Sequence, residues 1–137
     1  MQALYPLARE KFLTAQIDWS ATGDDFLLVA LDSTGVYLPT DEFRSDLVGV
    51  LGTATIPNPI SAGDGTADAD DVVFTGLSYG DLVEAIVICR DTGLDSTDDL
   101  IYYADTQTDG TDIARYSDGV NPITFVWSAT TARIFRI

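Results

Sequence analysis

The sequence predicts an all-β domain, an antiparallel β-sandwich of jelly-roll-like form with one short N-terminal helix, and three observations carry that expectation. Short runs rich in β-branched and aromatic residues recur along the chain, at 26–31, 72–75, 82–89, 100–105, 123–128 and 133–137. The segments between them are crowded with Asp, Gly and Thr, the residues that build turns. Only one stretch has convincing helical spacing, where Leu4, Ala8 and Phe12 recur at every fourth position around Pro6. Closure into a barrel is the alternative architecture.

Taken in order, the helix is expected at residues 6–14, because proline is tolerated in a first turn and Arg9, Glu10 and Lys11 supply the polar face. A turn at 22–25 precedes the apolar strand FLLVAL, 26–31, which Asp32-Ser33-Thr34-Gly35 closes. Residues 41–46 read as one more helical turn, with Phe43 inward. Residues 48–63 carry no charge and are interrupted by Gly49, Gly52, Pro57 and Pro59. That favours an edge strand or an extended arm, since proline cannot donate to a ladder.

Residues 63–71, GDGTADADD, form the densest acidic loop and lead into the strand at 72–75. The central strand is expected at 82–89, between the turns Gly80-Asp81 and Asp91-Thr92-Gly93. Its odd positions, Val83, Ala85, Val87 and Cys89, are wholly apolar; the even ones, Leu82, Glu84, Ile86 and Ile88, nearly so. Both faces therefore need cover: the main core on one, and the N-terminal segment, a loop or another subunit on the other. The run at 100–105 is expected to pair antiparallel with it through the 91–99 connection. Residues 106–119 read as a long polar connection holding a short strand near 113–116. The alternating runs at 123–128 and 133–137, linked at Ala129-Thr130-Thr131, read as a terminal hairpin. A single domain spanning 1–137 is expected, with no internal repeat.

Formal charge is −15, from 22 acids against 7 bases, and all the acids but Glu10, Glu42 and Glu84 are Asp. Asp serves turns better than helices or strands, so the charge is expected on loops. Such a chain is repelled by phosphate backbones, and its bases form no patch, so no nucleic-acid partner is expected. With no histidine and one cysteine, Cys89, the sequence offers neither Ser-His-Asp nor Cys-His catalysis, no Cys/His zinc site and no intrachain disulfide. Cys89 reads as a small core residue. No apolar run reaches membrane-spanning length and no leader pattern opens the sequence, so the expectation is folding in a cytoplasm with no membrane partner.

Three groups invite a chemical reading. Asp64, Asp68, Asp70 and Asp71 offer carboxylates to a hard cation, yet a calcium frame begun at Asp64 puts Ala69 where glycine belongs and Thr75 where a bidentate Glu belongs. A solvated turn is the plainer reading, and no metal or other cofactor is expected. Glu84 interrupts an apolar face, and its plain role is a partner for Arg90 or another arginine, or a solvent-facing position near the start of the strand. Trp19, Tyr79, Tyr102, Tyr103 and Trp127 could stack on a sugar, although core or interface is the commoner use of such residues. No pair of carboxylates stands out for glycosidic cleavage, so the chain is not expected to be an enzyme. Partner contacts are instead expected at Leu82, Ile86 and Ile88 on the even strand face, and at Ile56, Pro57, Pro59 and Ile60 of the uncharged arm.

The stretches AREKFLTAQIDW (8–19), FLLVALD (26–32), DEFRSDL (41–47), DGTADADDVVF (64–74), DLVEAIVICRDTG (81–93), LIYYADT (100–106) and ITFVWSATTARIFRI (123–137) together resemble a family of small β-sandwich structural proteins of tailed bacteriophages. The sequence departs from that pattern at 48–63, where Pro57-Asn58-Pro59 interrupts, and at Ala129-Thr130-Thr131, where a glycine turn is common. The resemblance implies fold and setting and carries no catalytic residue. It implies a virion protein, made in the host cytoplasm: a capsid decoration or cement protein that binds the outside of the head and stabilises the shell. The alternative is a tail-tip or fibre module that binds host surface glycans. The partners implied are the major capsid protein or other virion subunits, and a homo-oligomer, with a trimer favoured.

Overall fold

The computed structural model describes residues 1–128 and 134–137 and shows an all-β, sandwich-like protein whose strands pair antiparallel, with a single short α-helix. The chain runs through β1 (Gln2–Leu4), α1 (Pro6–Leu13), β2 (Asp25–Leu31), a 3-10 turn (Arg44–Asp46), β3 (Val50–Thr55), β4 (Ile60–Gly63), β5 (Thr66–Asp68) and β6 (Val72–Phe74). It continues through β7 (Leu82–Val83), β8 (Ala85–Asp91), β9 (Leu100–Ala104), β10 (Arg115–Tyr116), β11 (Ile123–Phe125) and β12 (Phe135–Arg136). The helix starts at Pro6, whose missing N–H is one that a helix leaves unbonded anyway, and Thr14 closes it by donating its N–H to the Glu10 carbonyl at 2.9 Å.

Five strands form the main sheet in the order β1-β9-β8-β2-β3, so β8 lies at its centre. The register sets one row of side chains across all five strands, Leu4, Tyr102, Ile88, Leu28 and Ala54, and the adjoining row, Ala3, Tyr103, Val87, Val29 and Thr53, on the opposite face. On the first face the smaller sheets and the N-terminal segment close the core. Phe135 of β12 packs against Tyr102 at 5.6 Å, Phe12 at 5.9 Å and Trp19 at 5.2 Å, while Trp19 packs on Phe26 at 4.3 Å. The second face is covered by the long connection 32–49. Tyr37 packs against Tyr5 and Tyr103 at 5.1 and 5.8 Å, and the Tyr103 hydroxyl donates to the Gly35 carbonyl at 3.2 Å. A loop of this chain thus buries the face that the sequence left open to loop or subunit. Phe26, Leu28, Val29, Val87, Ile88 and Cys89 are fully buried, and each large apolar side chain among them contributes roughly 1.5–3 kcal/mol.

Two sequence expectations are corrected. The run 82–89 is not one strand: the Glu84 N–H donates to the Leu31 carbonyl at 2.9 Å, and there the chain passes from β7, paired with β10, into β8, paired with β2 and β9. Nor is the terminal hairpin seen among the described residues. Ile123–Phe125 pairs with β6 and Phe135–Arg136 with β5, because Ile123 faces Phe74 in one sheet while Phe135 is drawn into the aromatic cluster beneath another. The expected link at Ala129-Thr130-Thr131, with Arg133, lies outside the described residues. Residues 48–63 do contain an edge strand, β3, and then a β4–β5 hairpin. Its two-residue turn, Asp64-Gly65, has φ of 51° and 72°, the left-handed pair that a tight hairpin requires. A Cβ on Gly65 would lie 2.9 Å from the Ile137 carbonyl oxygen, so the turn is held to glycine by space as well as by backbone angle.

Candidate functional site

The chemistry of this chain concentrates where the 91–99 connection meets α1 and the 3-10 turn. Asp98 is fully buried and Asp99 is 3% exposed, the two deepest carboxylates among the described residues. Arg44 Nε donates to Asp98 Oδ2 at 2.7 Å, and Thr92 gives Asp98 Oδ1 its backbone N–H at 2.7 Å and its hydroxyl at 2.8 Å. Burial alone would raise this carboxyl, but the Thr92 bonds and the Arg44 bond and charge outweigh it and hold Asp98 below the ordinary carboxylate range. Asp99 is paired on one oxygen with Lys11 and on the other with Arg90. Lys11 also reaches Glu42 at 3.2 Å, and Arg90 donates to the Gln16 carbonyl at 2.6 Å. The knot fastens the helix, the 3-10 turn, β8 and β9 to one another. It takes three of the seven bases, Lys11, Arg44 and Arg90, away from the outer surface. The chain carries far more acids than bases, and the remaining exterior is correspondingly acidic.

Glu84 is half-buried and forms no salt bridge among the described residues; Arg90, its expected partner, is engaged by Asp99 and, at 3.9 Å, by Asp24. Two surface crevices stand out. One, of about 280 Å³, is lined by Asp32, Glu84, Asp105 and Asp112, with Tyr103 at its base. The other, of about 310 Å³, has a floor of Ile86, Tyr102 and Ala104 and a rim that includes Gln107, Arg115 and Trp127, and no lining residue is acidic. That volume is at the lower end of small-molecule clefts, roughly 300–1,000 Å³. Among the described residues, no three acidic or Cys side chains converge to hold a metal ion. The loop acids are spread apart instead: Asp64 sits at the hairpin tip, and Asp70 accepts a hydrogen bond from Asn58 Nδ2 at 2.6 Å.

Of the partner contacts expected from sequence, Ile56, Pro59, Ile86 and Ile88 are buried inside the chain's own core and are corrected to structural residues. Ile86 and Ile88 lie under the second layer, and Ile56 is drawn in by its N–H bond to the Phe26 carbonyl at 2.9 Å. Pro57 and Leu82 keep part of their surface, and Ile60 is 46% exposed. The five aromatics form no common platform. Tyr102 and Tyr103 are buried, Trp19 belongs to the aromatic cluster, Tyr79 stands free, and Trp127 is held at the crevice rim by an Nε1 bond to the Asp70 carbonyl at 3.0 Å. The ionic knot was missed from sequence, although the pair Asp98-Asp99 directly before the apolar run 100–104 marks acids at a strand entrance.

No family model, curated protein or solved structure matches this chain. No helix among the described residues is long and apolar enough to cross a membrane.

Proposed function

We propose that this chain is a structural protein of a tailed-bacteriophage virion, a decoration protein that binds the outside of the head and stabilises the shell. The observation that supports this reading is the partition of charge: Lys11, Arg44 and Arg90 are spent on internal carboxylates, leaving an acidic exterior suited to a protein held away from packaged DNA. Its partners are then the major capsid protein or neighbouring virion subunits, and it works as a homo-oligomer with a trimer favoured, without catalysis, cofactor or nucleic acid. Pro57, Ile60 and Leu82 are the contact residues that retain surface. Quantitative mass spectrometry of purified virions from the phage encoding the chain tests the reading. A copy number close to that of the capsid subunit is expected, and absence from the particle would overturn it.

The second reading, a tail-tip or fibre module for host glycans, is favoured by the carboxylate-free crevice with Tyr102 beneath it and Trp127 at its rim. A handful of copies per particle, with glycan binding lost in Trp127→Ala, would select it.

A further inference from the structure

The two crevices lie on opposite faces of the main sheet and divide its charged groups by sign. Alternation along β9 and just past its end sends Tyr102, Ala104 and Thr106 to the larger crevice, and Tyr103 and Asp105 to the smaller. Glu84, where the chain passes from β7 to β8, and Asp112 line the smaller one too. The larger opens because its floor is low. The register sets Gln2, Ala104 and Ile86 in one row, and the single methyl of Ala104 lies between two longer side chains. Phe125 of β11 and Ile134 wall the space above.

Among the described residues that line this crevice, Arg115 is the one charged group. Its backbone is fixed in β10 opposite Val83. In a chain of 22 acids and 7 bases, its guanidinium forms no ion pair or hydrogen bond among the described residues. Tyr102 in the floor is 7% exposed, and its hydroxyl likewise has no hydrogen-bond partner among the described residues. Burial pushes that phenol up to about 12, so it stays a neutral donor at physiological pH. A free guanidinium beside an apolar floor matches a ligand that is anionic at one end and apolar along its body. A neutral sugar leaves Arg115 unused, and a cation is repelled by it. We propose that this crevice binds a small molecule with an apolar body and one carboxylate, the body on Ile86, Ala104 and Phe125 and the carboxylate accepting from Arg115. The acidic exterior opposes an incoming anion only within the screening length, about 8 Å at physiological salt. The inference stands whether or not the protein belongs to a virion, and it gives the crevice an occupant other than a neutral glycan.

The test titrates the whole chain with octanoate, 1-octanol and octylammonium, three heads on one tail, by calorimetry at about 0.15 M salt and below micelle-forming concentrations. Octanoate binds saturably, octanol about tenfold more weakly, and octylammonium more weakly still. Arg115→Gln, at an exposed position, keeps the melting temperature, brings octanoate down to the level of octanol and leaves octanol unchanged. Arg115→Glu reverses the order of octanoate and octylammonium. Ala104→Leu fills the crevice and abolishes the binding of octanoate and octanol alike. Should that variant fail to fold, the resonance of the Trp127 indole N–H decides the location on the unaltered protein, since it shifts when octanoate occupies the crevice. A resonance that stays in place while octanoate binds would overturn the proposal. So would the absence of saturable binding, octylammonium binding as tightly as octanoate, or octanoate binding that Arg115→Gln leaves unchanged. A neutral oligosaccharide that binds and is lost in Trp127→Ala, with no octanoate binding, would hand the crevice to a glycan and overturn it equally.

Discussion

Asp98 shows most directly how one side chain is made tolerable in a core. Its carboxylate is completely buried but accepts three hydrogen bonds, two of them from Thr92, so its charge is solvated by the protein. Removing one partner of a buried pair costs roughly 3–5 kcal/mol, and Asp98→Asn should cost somewhat less, about 2–3 kcal/mol at neutral pH, because Arg44 keeps some contact with water. The folded-state pKa lies below the unfolded value of about 3.9, so this contribution is present above that pH and is lost as pH falls through the lower folded value. The difference in melting temperature between wild type and Asp98→Asn should therefore close in acid, below about pH 4. A gap that stays constant to pH 2.5 or so would show that the charge is not the cause. Cys89 makes the opposite case: burial first, then the nearby Asp98 charge, push its thiol up to about 12. Aromatic disulfide reagents at pH 8 should leave it untouched until the chain is unfolded by denaturant. At the sheet centre, Val87→Asp places an unpaired carboxylate at a fully buried position and should prevent folding, which a cooperative melt of the variant would disprove.

Among the elements, the arm after β3 is where sequence and structure divide most usefully. Ile56 is 3% exposed and Ile60 is 46% exposed, so Ile56→Asp should lose several kcal/mol and expose the chain to proteolysis, whereas Ile60→Asp should melt within a degree or two of wild type. Equal melting curves for the two variants would refute this division. Helix α1, strand β2, the central place of 85–91 and its pairing with 100–104 were all legible, because each is a local pattern of apolar spacing between turn residues. The terminal hairpin misled because two adjacent alternating runs satisfy a hairpin pattern equally well when each pairs elsewhere; the choice was made by Phe135, whose aromatic partners Phe12, Trp19 and Tyr102 are distant in sequence. The dipeptide Asp64-Gly65 carries the signal of a tight hairpin turn, which the density of acids around it obscures. Nothing local told Ile56 from Ile60, because an exposed and a buried isoleucine differ only in what folds over them.

At the scale of the whole molecule, a charge of −15 with part of its basic complement turned inward makes self-repulsion a standing cost of the compact state. Raising sodium chloride to about 0.15 M shortens the Debye length to about 8 Å and should raise the melting temperature by a few degrees; a fall would mean that the ionic knot, also screened, matters more. EDTA should leave the melting curve where it is, and a drop restored by calcium would reveal a cation in the 63–71 loop. The path of the main sheet also governs time. Gln2 of β1 faces Ala104 of β9, and the central β8 stands between β9 and β2, which are likewise remote from each other along the chain. Most of the polypeptide must therefore be present before the sheet can close, and pairings this non-local place refolding in the millisecond-to-second regime of all-β domains. During synthesis the nascent chain emerges with Phe26 to Leu31 still unpaired on one side until 85–91 has left the ribosome. The cell must keep that half-made sheet from meeting another, and truncation anywhere before residue 104 should yield aggregate where the whole chain yields protein.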